Sequence, residues 1–380
     1  MTRRIREPSP VSIDRTFVGL PSPLIGPAGA GGHPCQGIWH TPSGQRPKVG
    51  FIATHYNVDF SEHYLAPYLA ERGYGFLGWN TRFRGNERTF LLDHAVAEIG
   101  VGVRWMREEA GVETVVIIGN SGGGSLMGAY QSEAVEPNIE PVAGMPLSPG
   151  LDDLPQGDLF VFVSAHPGRP EIFTNWMDAS VTDETDPVGT DPTLDIYNPQ
   201  NGPPYSADFV DRYRQAQVAR NNRITAWVKE ELVRCAEAGI RDRLFVVNRV
   251  WADPRFVDPT IDPNGRKPNS CYLGDPKRAN HGIYGVGLVN SLRTWLSMWS
   301  LEDSPCQAGP HLARLAVPTL LIEATDDSGV FPSDGEAIIG AVAAADKTKL
   351  SLEGDHYFLE PDGARDKVAD SVADWVAARL

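Results

Sequence analysis

The spacing of apolar residues changes several times between residues 37 and 118. Gly37-Ile38-Trp39-His40 and Val49-Gly50-Phe51-Ile52-Ala53 are short apolar runs on either side of the turn Pro42-Ser43-Gly44, and they predict two strands. Tyr64, Leu65, Tyr68 and Leu69 recur at helical spacing and stop at Gly73, which predicts an amphipathic helix with a glycine end. Tyr74 to Trp79 predicts a strand, and Asp93 to Glu109 a helix with Val96, Ile99, Val103 and Met106 on one face. Val115 to Ile118 is the β-branched run of a strand covered on both faces. Alternation of strand and helix predicts an α/β protein with a mostly parallel sheet.

The same alternation returns near the end of the chain. Pro318 to Ile322 and Thr348 to Leu352 predict strands, and Ser333 to Ala345 and Ala364 to Leu380 predict helices. Between the two blocks Leu159 to Ser164 still has the pattern of a core strand. Beyond it come a Pro/Asp-rich stretch from Asp183 to Pro204 and two helices, around Asp208 to Val218 and Thr225 to Ala238. A structureless stretch this long is uncommon unless functional, so the expected organisation is a core of 45–167 and 311–380 interrupted by a cap or lid at 168–310. Residues 1–44 form an N-terminal segment, with Gly19 to Gly37 expected as coil with short strands. No internal repeat of fixed period is found.

Composition narrows the function. The 380 residues are 41% hydrophobic, enough for a sizeable core, and the formal net charge of −15 repels nucleic-acid phosphates and anionic membranes. Neither is an expected partner. Cys35, Cys235, Cys271 and Cys306 form no C-x-x-C pair and are expected as reduced thiols. Met1 to Leu20 carries Arg3, Arg4 and Arg6 but lacks the apolar core of a signal peptide, and no run reaches the ~18 apolar residues of a membrane span. The expectation is a cytoplasmic protein.

The candidate chemistry begins at Gly119-Asn120-Ser121-Gly122-Gly123. This G-x-S-x-G follows an apolar strand and precedes a helix-compatible stretch, the setting in which a tight turn pushes a serine hydroxyl out at the carboxyl end of a sheet. A lone match is weak, but no G-K-[ST] accompanies it, which disfavours a phosphate-binding loop. An acid and a histidine follow in order, each after its own strand: Asp326-Asp327 after Thr319 to Ile322, and His356 after Thr348 to Leu352. In this order the chain resembles the α/β-hydrolase fold family over about 45–165 and 311–380.

The resemblance implies an α/β-hydrolase fold, a mostly parallel sheet with helices on both faces and an inserted, largely helical cap. It implies Ser121 as nucleophile, His356 as general base and Asp327 as the acid that orients it. Asp327 is preferred over Asp326 because the family's acid stands four or five residues before a proline, here Pro332. Asp355, next to the histidine, has the pattern of a loop-capping carboxylate. For the oxyanion the resemblance implies the N–H of Gly122 and a second donor in the loop after Val49 to Ala53. There the family has His-Gly and this chain has His55-Tyr56-Asn57, so Asn57 or Tyr56 is expected to donate. His55 and His166 are candidate substrate contacts, each with the plain alternative of a hydrogen-bonded structural histidine.

No H-E-x-x-H or Cys/His spacing supports a metal, and no cofactor is expected. The acidic run Asp183 to Asp195 lacks calcium-loop spacing. Aromatics in 168–310, among them Trp176, Tyr272 and Trp299, suit a small substrate with a hydrophobic portion, or else pack the cap's own core. Arg212, Arg214, Arg220 and Arg223 are expected to make surface salt bridges, with binding of a substrate carboxylate as the alternative. The resemblance thus implies a serine hydrolase acting on a small-molecule carboxylic ester or lactone. An acyltransferase, a thioesterase, a C–C bond hydrolase and a non-catalytic ligand-binding protein on the same scaffold stay open, as does a homo-oligomer.

Overall fold

A computed structural model describes residues 11–24, 33–186 and 188–380. The basic start of the chain and the middle of its Pro/Gly-rich opening, 25–32, lie outside the described residues. Strands β1 (Ile13–Leu20), β2 (Cys35–Pro42), β3 (Val49–Ala53), β4 (Gly75–Asn80), β5 (Thr114–Ser121) and β6 (Leu159–Ala165) come from the first block. A small antiparallel pair, β7 (Leu244–Val246) and β8 (Val289–Ser291), precedes β9 (Thr319–Ala324) and β10 (Lys347–Leu352). The main sheet runs β1-β2-β4-β3-β5-β6-β9-β10. It is antiparallel at β1-β2 and β2-β4 and parallel from β4 onward.

Alternation along the central strands loads both faces. Val116, Ile118, Val161, Val163, Leu320 and Ile322 pack with Leu69 and with Val368 and Val372 of helix Ala364–Ala377. Their neighbours Val115, Ile117, Phe160, Phe162 and Leu321 pack with Val96, Ile99 and Val103 of helix Leu92–Glu108 and with Leu126, Met127 and Tyr130 of helix Gly123–Val135. Each such side chain removed from water contributes roughly 1.5–3 kcal/mol, which is why continuous apolar runs in sequence become the buried centre of a parallel sheet.

Within 1–44 the chain forms an eight-residue edge strand, β1, whose sequence has no period-2 apolar signal because only Val18 along it is buried. Two expectations are corrected. The two helices expected after Pro204 are one 31-residue helix, Ala207–Glu237, capped by the Ser206 hydroxyl. The polar stretch between them was a misleading break, for Gln217, Arg220, Asn221, Ile224, Thr225 and Val228 form one helical stripe that is wholly inside. Arg220 is consequently no surface residue. Its guanidinium grips Glu184 at 2.7 Å through both Nε and Nη2, and donates to the carbonyls of Asp178, Asn248 and Arg249. Asn221 bonds the Trp299 carbonyl and the Leu301 N–H, tying the helix to 295–301.

The insertion between β6 and β9 is also pinned to the sheet's own helices. Asp253 accepts from Arg214 and from Arg255, and Arg255 reaches Asp334 at the start of helix Pro332–Ala341. Burial opposes the charge on Asp253, but the two guanidiniums outweigh it and hold its pKa down at about 2. A carboxylate with a lowered folded-state pKa stabilises above its unfolded value and loses that contribution as pH falls between about 4 and 2. Urea unfolding at stepped pH is therefore expected to show stability dropping through that window, with Asp253→Asn less stable at pH 7 but flatter below pH 4. Among the described residues no helix is long and apolar enough to cross a membrane.

Candidate active site

The strand β5 ends on Ser121 at φ +52°, a left-handed conformation that a non-glycine residue adopts only under constraint, and helix Gly123–Val135 begins two residues later. The turn is this tight because the chain packs against the loop after β3. A methyl on Gly123 would lie 2.3 Å from the Thr54 carbonyl oxygen, and one on Gly122 within 2.8 Å of Arg169 and His55. At Gly123 the clash is with backbone, so only glycine fits there; at Gly122 a side chain would displace Arg169 or His55. On the other side β6 shifts register beside Ser121, and the His166 N–H donates to the Ser121 carbonyl at 3.0 Å.

Ser121, half-buried, meets His356 from the loop after β10, with Oγ 3.1 Å from Nε2. His356 Nδ1 lies 2.7 Å from Asp327 Oδ2, from the loop after β9. The other carboxylate oxygen of Asp327 accepts the N–H groups of Gly329 and Val330, which fixes the acid's orientation. All three side chains project from the carboxyl ends of parallel strands, where loops converge in open α/β sheets. Of the two adjacent acids it is Asp327 that meets the histidine. Asp326 is turned toward Gly265 and donates its backbone N–H to Gly354. Asp355 caps its own loop, accepting from the N–H groups of Tyr357 and Leu359.

The loop after β3 departs from a simple pair of free donors. Tyr56 is wholly buried, and its hydroxyl lies 3.0 Å from the Ser125 hydroxyl. The Asn57 N–H faces His55 Nδ1 at 3.4 Å, and the Asn57 side chain donates to Glu87. His55 Nδ1 also faces the Val58 N–H, at 3.3 Å, while its Nε2 stands 3.5 Å from Arg169 Nη2. Burial, reinforced by Arg169, holds His55 well below its ordinary pKa and so neutral.

Tyr272 of the insertion lies with its ring 4.5 Å from that of His356 and its hydroxyl 3.2 Å from His166 Nε2. The same hydroxyl lies 3.4 Å from His356 Nδ1. Burial pushes the pKa of His166 well down, so this ring too is neutral. Trp176 stands edge-on to His166 and stacks on Trp251, giving an aromatic wall next to the serine.

Sequence reasoning missed one charged group here. Arg169 opens helix Arg169–Trp176, is almost wholly buried, and lies over the Tyr56 ring at 4.4 Å. The signal was its place: three residues past His166, at the carboxyl end of a core strand. Among the described residues no group of three or more His, Cys, Asp or Glu side chains is arranged to hold a metal ion.

No protein-family model matches the sequence, and no curated protein matches it. Solved structures do. The chain is similar to the alpha/beta hydrolase GrgF from Penicillium sp. sh18, at 12% identity and TM-score 0.50, over 96% of this chain and 97% of that one. It is also similar to a Paleococcus ferrophilus monoacylglycerol lipase, at 13% identity and TM-score 0.47, over 97% and 100% of the two chains. A dienelactone hydrolase from Anabaena variabilis ATCC 29413 matches at 12% identity and TM-score 0.43, over 96% and 98%. At 12% identity the likeness to GrgF speaks to architecture alone, and with the eight-stranded, mostly parallel sheet flanked by helices it leads to one conclusion: this chain is built on the α/β-hydrolase fold.

Proposed function

We propose that the protein is a serine hydrolase that cleaves a small-molecule carboxylic ester or lactone through an acyl-enzyme on Ser121. The observation that carries this is the continuous relay of 3.1 and 2.7 Å from Ser121 through His356 to Asp327, on a serine held at positive φ. His356 Nε2 takes the proton as Ser121 Oγ bonds to the carbonyl carbon, and returns it to the leaving alkoxide as the C–O bond breaks. Water, deprotonated by the same nitrogen, then attacks the acyl carbon and releases Ser121. The Gly122 N–H stabilises the negative oxygen in both steps, with a second donor assigned to the loop after β3; of Asn57 and Tyr56 the candidate is Tyr56, because the Asn57 N–H faces His55 Nδ1. The aromatic wall of Trp176, Trp251 and Tyr272 supports a substrate with an apolar portion, under residues 168–310 acting as a cap. Four unpaired, buried cysteines suit the reducing cytoplasm.

Intact mass after exposure to a fluorophosphonate tests the reading. One adduct, formed as Oγ displaces fluoride from phosphorus, is expected on the native protein and none on Ser121→Ala, with ester hydrolysis by that variant reduced by at least about 10³-fold. A folded native protein that takes up no label would overturn the reading in favour of ligand binding without catalysis.

A further inference from the structure

Arg169 is a buried cation with no carboxylate in contact. It is 3% exposed, its Nε has no hydrogen-bond partner, and among the described residues it forms no ion pair. Its guanidinium rests on aromatic faces instead, 4.4 Å from the Tyr56 ring centre and 5.6 Å from that of Trp299. A buried charge with no contacting counter-ion is costly, and Glu87 offsets this only through space, without touching the guanidinium. Glu87 spends its two oxygens on the Asn57 amide and the Gly287 N–H. Glu171, two residues along, is pushed by burial to about 7 and is a poor anion at neutral pH.

The partner across from Arg169 is a second donor. His55 Nδ1 faces two backbone N–H groups and so acts as the acceptor of a neutral ring, which places the ring's one proton on Nε2. That nitrogen stands 3.5 Å from Arg169 Nη2. Two N–H donors face each other with no acceptor between them, and both lie within 2.8 Å of where a methyl on Gly122 would sit, one residue from Ser121.

We infer that Arg169 and His55 bind a carboxylate of the substrate beside Ser121, so that the ester or lactone cleaved is derived from an acid carrying a second carboxyl group close to the scissile carbonyl. This rests on the reading of Ser121 as nucleophile. A carboxylate supplies the acceptor oxygens for Nη2, Nε and the imidazole Nε2 together, and its permanent charge matches the permanent charge of the guanidinium. The oxyanion, formed only during reaction, is met by the Gly122 N–H.

The test has a kinetic and a binding arm. Mono-ethyl esters of malonic, succinic and glutaric acid are compared with ethyl esters in which an isopropyl group replaces the carboxylate. At least one charged ester is expected to exceed its neutral counterpart by about tenfold or more in kcat/KM, and Arg169→Met to bring that ratio to about one. Calorimetry with the free dicarboxylates is expected to show binding to Ser121→Ala and none to the Ser121→Ala, Arg169→Met double variant. Equal loss on charged and neutral esters in Arg169→Met overturns the inference, because it assigns the arginine to the oxyanion. So does neutral-ester hydrolysis without dicarboxylate binding, which leaves the hydrolase reading standing. Arg169-dependent dicarboxylate binding by a protein that takes no fluorophosphonate upholds the anion site while removing the hydrolase. If Arg169→Met does not fold, the charged-to-neutral ratio of the native protein and of His55→Phe decides.

Discussion

Asp327→Asn is expected to lower kcat on an ester by about 10³–10⁴-fold while leaving the fold intact, and Asp326→Asn to leave it within about twofold. The reason is the fixed orientation of the acid. Asp327 Oδ1 is held by the N–H groups of Gly329 and Val330, so an asparagine keeps its carbonyl oxygen there and turns its amide toward His356. His356 Nδ1 then becomes an acceptor, and the ring's proton moves to Nε2, the nitrogen that faces Ser121 Oγ at 3.1 Å. A protonated Nε2 in a neutral ring cannot take the serine's proton. Asp326 makes no such contact with the histidine. Steady-state kinetics of the two variants, with circular dichroism to check folding, separates the assignments: similar losses in both, or none in Asp327→Asn, would remove Asp327 from the relay.

The second large effect is on stability. Arg220→Met is expected to lower the unfolding free energy by about 3–5 kcal/mol, the cost of breaking a buried ion pair from one side. Methionine fills much of the volume but leaves Glu184 and the carbonyls of Asp178, Asn248 and Arg249 without their donor. Because those carbonyls belong to segments that wrap the long helix, proteolytic nicking is expected first within 178–250. Thermal and urea unfolding check the prediction, and an unchanged midpoint would show that Arg220 is solvated in solution.

The legible parts of the chain were those where one local pattern had one structural meaning. Val115 to Ile118 is buried on both faces of β5, and its apolar run has no other comfortable setting. The grouping of Ser121, the acid pair Asp326-Asp327 and His356 was readable because each follows a strand in a fixed order, and parallel strands bring their carboxyl ends to one edge. The strand β1 was illegible, since an edge strand with four consecutive exposed residues carries no apolar alternation. The stretch around Arg220 and Asn221 misled for the opposite reason: its polar side chains are inside, satisfied by backbone groups tens of residues away.

His55 and Arg169 show the same division at the site. A histidine in a loop and an arginine after a strand are each unremarkable in sequence, separated by 114 positions. Their meaning lies in a 3.5 Å approach between two donors beside Gly122, which no local pattern encodes.

The sequence by itself determined the α/β alternation, the elbow around Ser121 and the order of acid and histidine, because these depend on periodicity and on residues adjacent along the chain. The tertiary structure alone decided which acid meets His356, that Arg169 is buried without an ion pair, and that the insertion encloses polar side chains such as Arg220, Asn221 and Asp253 within its apolar core. Those depend on desolvation and on directions of side chains from distant segments, and such terms take a sign only once the chain has closed around them.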